Sequence, residues 1–290
     1  MKTLSVRKLY VDSRYLSSGD PSSFEYELPE TVELPKDTVA YVTEFTCVNG
    51  WDTVNDSNMF FYIAEERSDF TYKGRRIALA HKPHDSETLR SDIQAALNGS
   101  GKTVAGSYTV TRVPSAGNGS SGLAASYRYF EITLNGGGKF YIPVEEQLKD
   151  PHWYSSSWIN LYLGDPYTPS QTNSTNELLS FSMSGLATSA TSGFIDLRSK
   201  HSLFVHSPSF GNYTSIGPRG VRTILQKIPV HNAYGGLTFY EHSGHPADYI
   251  EVSSTTIRTM KFELRDARGN LVNLNGGHWS MTIVFGERPM

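Results

Sequence analysis

Apolar and polar residues alternate along most of this chain with a period of two. In Trp279-Ser-Met-Thr-Ile-Val-Phe285 the residues Trp279, Met281, Ile283 and Phe285 fall on one face and Ser280, Thr282 and Val284 on the other, the spacing of a strand with one face on a core. The runs Val39 to Phe45, Met59 to Ile63, Tyr108 to Val113, Tyr129 to Leu134 and Lys139 to Ile142 are short, β-branched and aromatic, and each is closed by Gly, Pro, Asn or Asp. They predict a many-stranded antiparallel protein.

One segment has the helical period. Leu89, Ile93, Ala96 and Leu97 recur at i, i+4, i+7 and i+8 within Asp85 to Asn98, which predicts an amphipathic helix over residues 86–98, its narrow apolar stripe packed on a sheet. Asp85 or Ser86 is placed to cap its first amides, Glu87 complements its dipole, and Gly99 stands where a left-handed residue would end it.

The stretches Ser115 to Ser121 and Thr168 to Thr175 are polar and rich in Gly, Ser, Asn, Thr and Pro, so they read as exposed loops. The second marks a boundary between an N-terminal β region, 1–170, with an extended arm and the helix, and a C-terminal β region, 171–290. A long loop inside one domain fits as well. Near the end, Asp266 to Asn270 reads as a turn with Gly269 free to take positive φ, and Asn275-Gly-Gly277 as a second, so that Met260 to Phe285 predicts a three-stranded meander.

Composition narrows the class. The 290 residues include 17 Tyr, 14 Phe and 4 Trp, only 19% are charged, and Gly and Pro number 25 and 14. That is neither the composition of a disordered chain nor that of a collagen. A net charge of −3 gives no basic footprint for a nucleic-acid backbone, so direct nucleic-acid binding is not expected. The start of the chain has no apolar stretch of signal-peptide length, and no window approaches the roughly 20 apolar residues of a membrane helix. The expectation is a soluble protein made in the cytoplasm without insertion into a membrane. Cys47, the single cysteine, lies in a strand-like run and reads as a buried, inert thiol.

The candidate chemistry is thin. Gly117-Asn-Gly-Ser-Ser-Gly122 spells a dinucleotide-binding pattern, but the next residues, Leu123 to Ile132, head into a strand where that motif needs a helix N-terminus. His242 and His245, with Glu241 and Asp248, form the best ligand cluster, yet Gly244 and Pro246 make the segment a loop. No Gly-x-Ser-x-Gly elbow is present, and the adjacent acids Glu65-Glu66 and Glu145-Glu146 would point to opposite faces of a strand. No catalytic residue, metal or cofactor is therefore expected. Asn-x-Ser/Thr sequons at Asn55, Asn98, Asn118, Asn173 and Asn212 read as by-products of polar loops. Trp51, Trp153 and Trp158 read as sugar platforms or interface anchors, with burial in the core as the alternative.

Several stretches together carry a family resemblance: Leu9-Tyr-Val-Asp-Ser-Arg14, Phe24-Glu-Tyr-Glu-Leu-Pro-Glu-Thr-Val-Glu-Leu-Pro35, Tyr41-Val-Thr-Glu-Phe45, Phe194-Ile-Asp-Leu-Arg198 with Ser202-Leu-Phe-Val-His-Ser207, Gly220 to Val230, and Phe262 to Phe285. In that layout the chain resembles the penton-type or minor capsid proteins of Polinton, adintovirus and virophage-like genomes. The resemblance implies an all-β fold, an antiparallel jelly-roll-type sandwich. It also implies a non-enzymatic virion shell protein, homo-oligomeric and pentameric at a vertex, that contacts a double-jelly-roll major capsid protein.

Low charge with many aromatics suits surfaces that bury in cyclic contacts. Tyr10, Tyr15, Phe24 and Tyr26 alternate with polar residues in an N-terminal stretch that reads as an arm able to pair with a neighbouring subunit's sheet edge. The expected assembly or ligand contacts are thus Tyr10, Tyr15, Trp51, Trp153 and Trp158. A competing class is a carbohydrate-binding β-sandwich module, which would use the Trp platforms.

Overall fold

A computed structural model describes residues 6–66, 72–114, 127–149, 174–210, 216–217, 220–243, 248–252 and 256–287. The fold is all-β, of the antiparallel jelly-roll type, and the chain forms two compact units. One is made of Met1–Trp51 with Lys200–Met290, the other of Asp52–Ser199. The boundary expected at 170/171 falls outside the described residues.

The first unit is a two-sheet sandwich. Its first sheet has the order β1 (Arg7–Asp12), β16 (Trp279–Glu287), β4 (Thr38–Val48), β13 (Leu237–Glu241), with the short β14 (Ile250–Glu251) also on β4. The second has the order β12 (Ile224–Pro229), β11 (Ser202–His206), β15 (Thr256–Asp266), β3 (Ser23–Glu33), β2 (Ser18–Asp20). The inward faces interleave around Trp279, whose ring lies 5.4 Å from both Phe24 and Phe45, while Phe262 stacks on Phe24 at 5.8 Å. The indole N–H of Trp279 donates to the Pro21 carbonyl at 2.6 Å, so the largest core side chain buries no unpaired donor.

Strand β4 shows how local sequence sets the geometry. Ala40 and Val42 face the core, and so do Phe45 and Cys47, a change of phase that follows two consecutive polar residues, Thr43 and Glu44. The pairing slips there: Thr282 opposes Glu44 and Ile283 opposes Val42, leaving Thr43 as the extra residue of a β-bulge. In β15 a second slip, between Ile257 and Thr259, lies opposite the segment of β3 that holds Pro29, a residue unable to donate to a ladder.

Two expectations change. Strand β1 is no free arm; it pairs in register with β16, Arg7 opposite Phe285 through Asp12 opposite Ser280. The closing meander is also not formed. The turn at Asp266 exists and Gly269 has φ 84°, but Leu271 makes only an isolated bridge to Arg265, and β15 and β16 belong to different sheets. The connection buries Val272 and Leu274 in the sandwich core, which two polar turns in sequence do not signal.

The second unit holds two three-stranded sheets. Their orders are β10 (Ser189–Thr191), β8 (Tyr127–Asn135), β7 (Ser107–Pro114), and β6 (Tyr72–Ala78), β5 (Phe60–Glu66), β9 (Phe140–Tyr141). Its core gathers Phe61, Phe130, Phe140 and Phe181 with the helix α1 (Ser86–Leu97). Leu89, Ile93 and Leu97 are the buried stripe, and Asp85 caps the helix through a reciprocal box with Thr88. Gly99 does not take positive φ; Asn98 is the C-cap and Gly101, φ 86°, makes the left-handed turn. Glu145 and Glu146 lie in the short helix α2 (Glu145–Lys149), not in a strand. Strands β7 and β8 pair antiparallel, and Gly117 to Gly122 lie outside the described residues.

Candidate assembly surfaces

Among the described residues, the first sheet of the sandwich ends in two open edges, β1 on one side and β13, with the short β14 beyond it along β4, on the other. Alternation sends Lys8, Tyr10 and Asp12 of β1 to its outer face, in rows with Val284, Thr282 and Ser280. On the far side Leu237, Phe239 and Glu241 share that face, opposite Val48, Thr46 and Glu44. Leu237 and Phe239 are 54% and 51% exposed, and Tyr10 is 66% exposed. Large apolar side chains at the rims of a sheet are where a sandwich meets a partner, and short, charged strands are how it avoids indiscriminate pairing.

Between the sheets on the β1 side lies a cleft of about 360 Å³. Leu9, Leu28, Val32 and Ile257 line its apolar part, and Arg7, Lys8 and Glu30 stand at its mouth. Just after β1, Asp12 caps a 3-10 turn and takes both the backbone N–H of Arg14, at 2.9 Å, and its guanidinium. The Arg14 hydrogen bonds hold the Asp12 carboxyl below its ordinary range against the cost of burial.

Of the residues singled out in sequence, Tyr10 and Tyr15 are exposed, on β1 and on the turn after it. Trp51 is 4% exposed and belongs to the sandwich core, so it takes the core alternative and offers no platform or anchor. Trp153 and Trp158 lie outside the described residues. Cys47 is buried, and burial pushes its thiol up to about 12, as an inert core thiol requires. His242 stacks on Tyr41 at 4.9 Å and approaches Asp248 at 3.4 Å, while His245 lies outside the described residues. Among the described residues no group of three or more metal-ligating side chains converges.

Sequence reasoning missed a buried polar cluster in the second unit. Glu65 is fully buried and accepts the hydroxyl of Tyr108 at 2.9 Å, the amide of Thr103 at 2.8 Å and the guanidinium of Arg75 at 2.9 Å. Arg75 also donates to the Leu97 carbonyl at 2.8 Å, tying the strand pair to the end of α1. Burial, then the Glu65 carboxylate, drive the Tyr108 hydroxyl far above its ordinary value, so it stays a donor. Both Glu65 oxygens are consumed by these partners, which is the arrangement of a structural ion pair. Alternation in β5 and β7 gave no sign of it, since Glu65 sits on the face that a strand pattern assigns to the core.

Neither a protein-family model nor any curated protein matches the sequence. Among solved structures, the crystal structure of the mavirus penton protein is similar in fold, with a TM-score of 0.55 over 97% of this chain and 98% of that one at 11% sequence identity. The likeness covers both units from end to end.

Proposed function

We propose that this protein is a structural subunit of a virion shell, placed at a vertex or as a minor capsid component, that assembles with copies of itself and with a larger major capsid protein. The observation that carries this reading is the end-to-end likeness of fold to a penton protein. The sequence layout supports it independently, and so do the two open sheet edges with exposed aromatic and aliphatic residues. In this reading the molecule acts by burying surface and not by chemistry. The buried ion pair and the inert thiol belong to its rigidity. Pentamers are the expected closed form, and the virion is where the protein resides. The carbohydrate-binding alternative loses Trp51, which lies in the core.

Native mass spectrometry of the purified chain across a tenfold range of concentration, alone and with the cognate major capsid protein, tests this. A pentamer, or a defined complex with the major capsid protein, supports the reading. A chain that stays monomeric in both settings overturns it.

A further inference from the structure

The two open edges of the β1–β16–β4–β13 sheet match one another. Three antiparallel pairings separate β1 from β13, so the two strands run in opposite directions. Repeating the sheet sideways therefore sets β1 of one copy antiparallel to β13 of the next. The strands have comparable lengths, six and five residues.

Their backbone groups are in phase as well. The amide of Asn49 bonds the Gly236 carbonyl and that of His242 bonds Thr43, which turns the even residues of the β13 segment inward to β4. Leu237, Phe239 and Glu241 are thereby turned outward, and the Leu237 carbonyl accepts the Asn232 side-chain amide instead of a strand. On the other side the Trp279 amide turns toward the β1 strand, donating to the Ser13 hydroxyl at 3.0 Å. With Arg7, Leu9 and Val11 opposite Phe285, Ile283 and Met281, the odd residues of β1 bond β16 and Lys8, Tyr10 and Asp12 are turned outward; there the Tyr10 carbonyl accepts the Tyr26 hydroxyl at 3.2 Å. A carbonyl has two lone pairs, so both keep an acceptor position for a new strand.

In the register that sets Tyr10 against Phe239, Lys8 falls opposite Glu241 and Asp12 opposite Leu237, all on one face. That register joins two exposed aromatics and an exposed cation with an exposed anion. Arg7 extends the basic end of β1, and Glu44 stands beside Glu241 on β4. Half-buried Tyr240 comes next to Leu9, which lines the apolar part of the cleft.

We infer that β1 of one copy pairs with β13 of a second copy, a head-to-tail contact that continues the sheet from subunit to subunit and is fixed in register by Tyr10 with Phe239 and Lys8 with Glu241. A contact of this kind is heterologous and closes into a ring when the rotation between copies allows. The inference deepens the shell-subunit reading and rests on it.

The test exploits the absence of any other accessible thiol, since Cys47 is buried. Lys8 and Glu241 are both exposed, so K8C and E241C leave the fold intact. Opposed residues in a hydrogen-bonded antiparallel pair lie about 5.5 Å apart at Cα, within the span of a disulfide. Under mild oxidation a mixture of the two variants is expected to give a cross-linked dimer that neither gives alone. Charge reversal in K8E or in E241K is expected to weaken self-association by roughly tenfold or more, and the double reversal K8E/E241K to restore it. Rings that form without the mixed cross-link overturn this contact and leave the shell reading standing. A cross-link within either variant alone overturns it too, because that marks a two-fold contact. Failure of the unmodified chain to associate, alone or with the major capsid protein, overturns both.

Discussion

At the scale of single residues, two kinds of charge separate cleanly. Arg75 and Glu65 have side chains 6% and 0% exposed, whereas Arg14, paired to Asp12 through a shorter contact, is 65% exposed. Removing one member of a buried pair strands the other charge without water, at a cost of about 3–5 kcal/mol, while an exposed pair is screened by solvent and contributes little. Arg75→Ala is therefore expected to lower the urea midpoint steeply and Arg14→Ala scarcely at all; equal shifts would refute the distinction. His206 gives a pH signature. It is 4% exposed, with Nδ1 3.0 Å from the Thr223 hydroxyl, and burial, then the nearby Arg265, hold its pKa below the ordinary value against the pull of Glu263. A depressed histidine favours unfolding when protonated. Stability is thus unaffected above the unfolded value near 6.5, falls as pH drops from there toward the native value, and levels below it. His206→Gln should flatten the fall in urea midpoint between pH 7.5 and 5; an unchanged slope would assign it to His84, which burial shifts the same way. The inert role of Cys47 was legible in sequence because it lies within the strand-like run Val39 to Val48. For Trp51 composition offered both a platform and a core position, and the choice rests on core partners from distant strands, which no local pattern shows.

At the scale of elements, α1 was readable in extent and in its buried stripe, but its second task was not. Strand β7 is a sheet edge, and the helix covers that edge with side chains. The Asn98 side-chain Oδ1 accepts the Tyr108 amide at 2.9 Å and its Nδ2 donates to the Tyr108 carbonyl at 2.8 Å. Gln94 accepts the Val110 amide at 2.9 Å, and Arg90 donates to the Val110 carbonyl at 3.0 Å. Arg90, Gln94 and Asn98 recur every four residues, so one polar stripe of the helix matches alternate residues of the strand. The spacing was present in sequence; what it faced was not. Asn98→Ala leaves a strand amide and carbonyl without partners and is expected to cost about 1–3 kcal/mol, read as a lower melting temperature and faster amide exchange at Tyr108. Exchange at Tyr108 equal to the parent's would show that the side chain does not seal the edge. The same local patterning misled at the C-terminus, where turn residues foretold a meander. Turn chemistry fixes that the chain reverses, not which sheet receives the next strand, and the choice came from burying Val272 and Leu274.

At the scale of the whole molecule, fold class was legible because period-two patterning recurs in both units, and the first of these units is discontinuous in sequence. The chain leaves it after Trp51 and returns at Lys200, and the two crossing points are adjacent: the Ser199 hydroxyl donates to the Asp52 carbonyl at 3.0 Å. A unit whose ends meet is an insertion that a neighbouring fold tolerates, since removing it opens no gap in the host. Each unit also closes its own core, one around Trp279 and Phe45, the other around Phe130 and the α1 stripe. Replacing residues 52–199 with a short Gly/Ser linker is therefore expected to leave a folded sandwich, and residues 52–199 alone to fold as well. Near-ultraviolet circular dichroism of the first species reads the packing of its buried Trp51 and Trp279: a retained signal with a single cooperative melt marks an autonomous sandwich. Loss of that signal together with non-cooperative unfolding would mean that the sandwich depends on the inserted unit, and the two would then count as one folding domain. An autonomous sandwich would carry both open sheet edges, so the β1–β13 cross-link could be sought in it free of any contribution from residues 52–199.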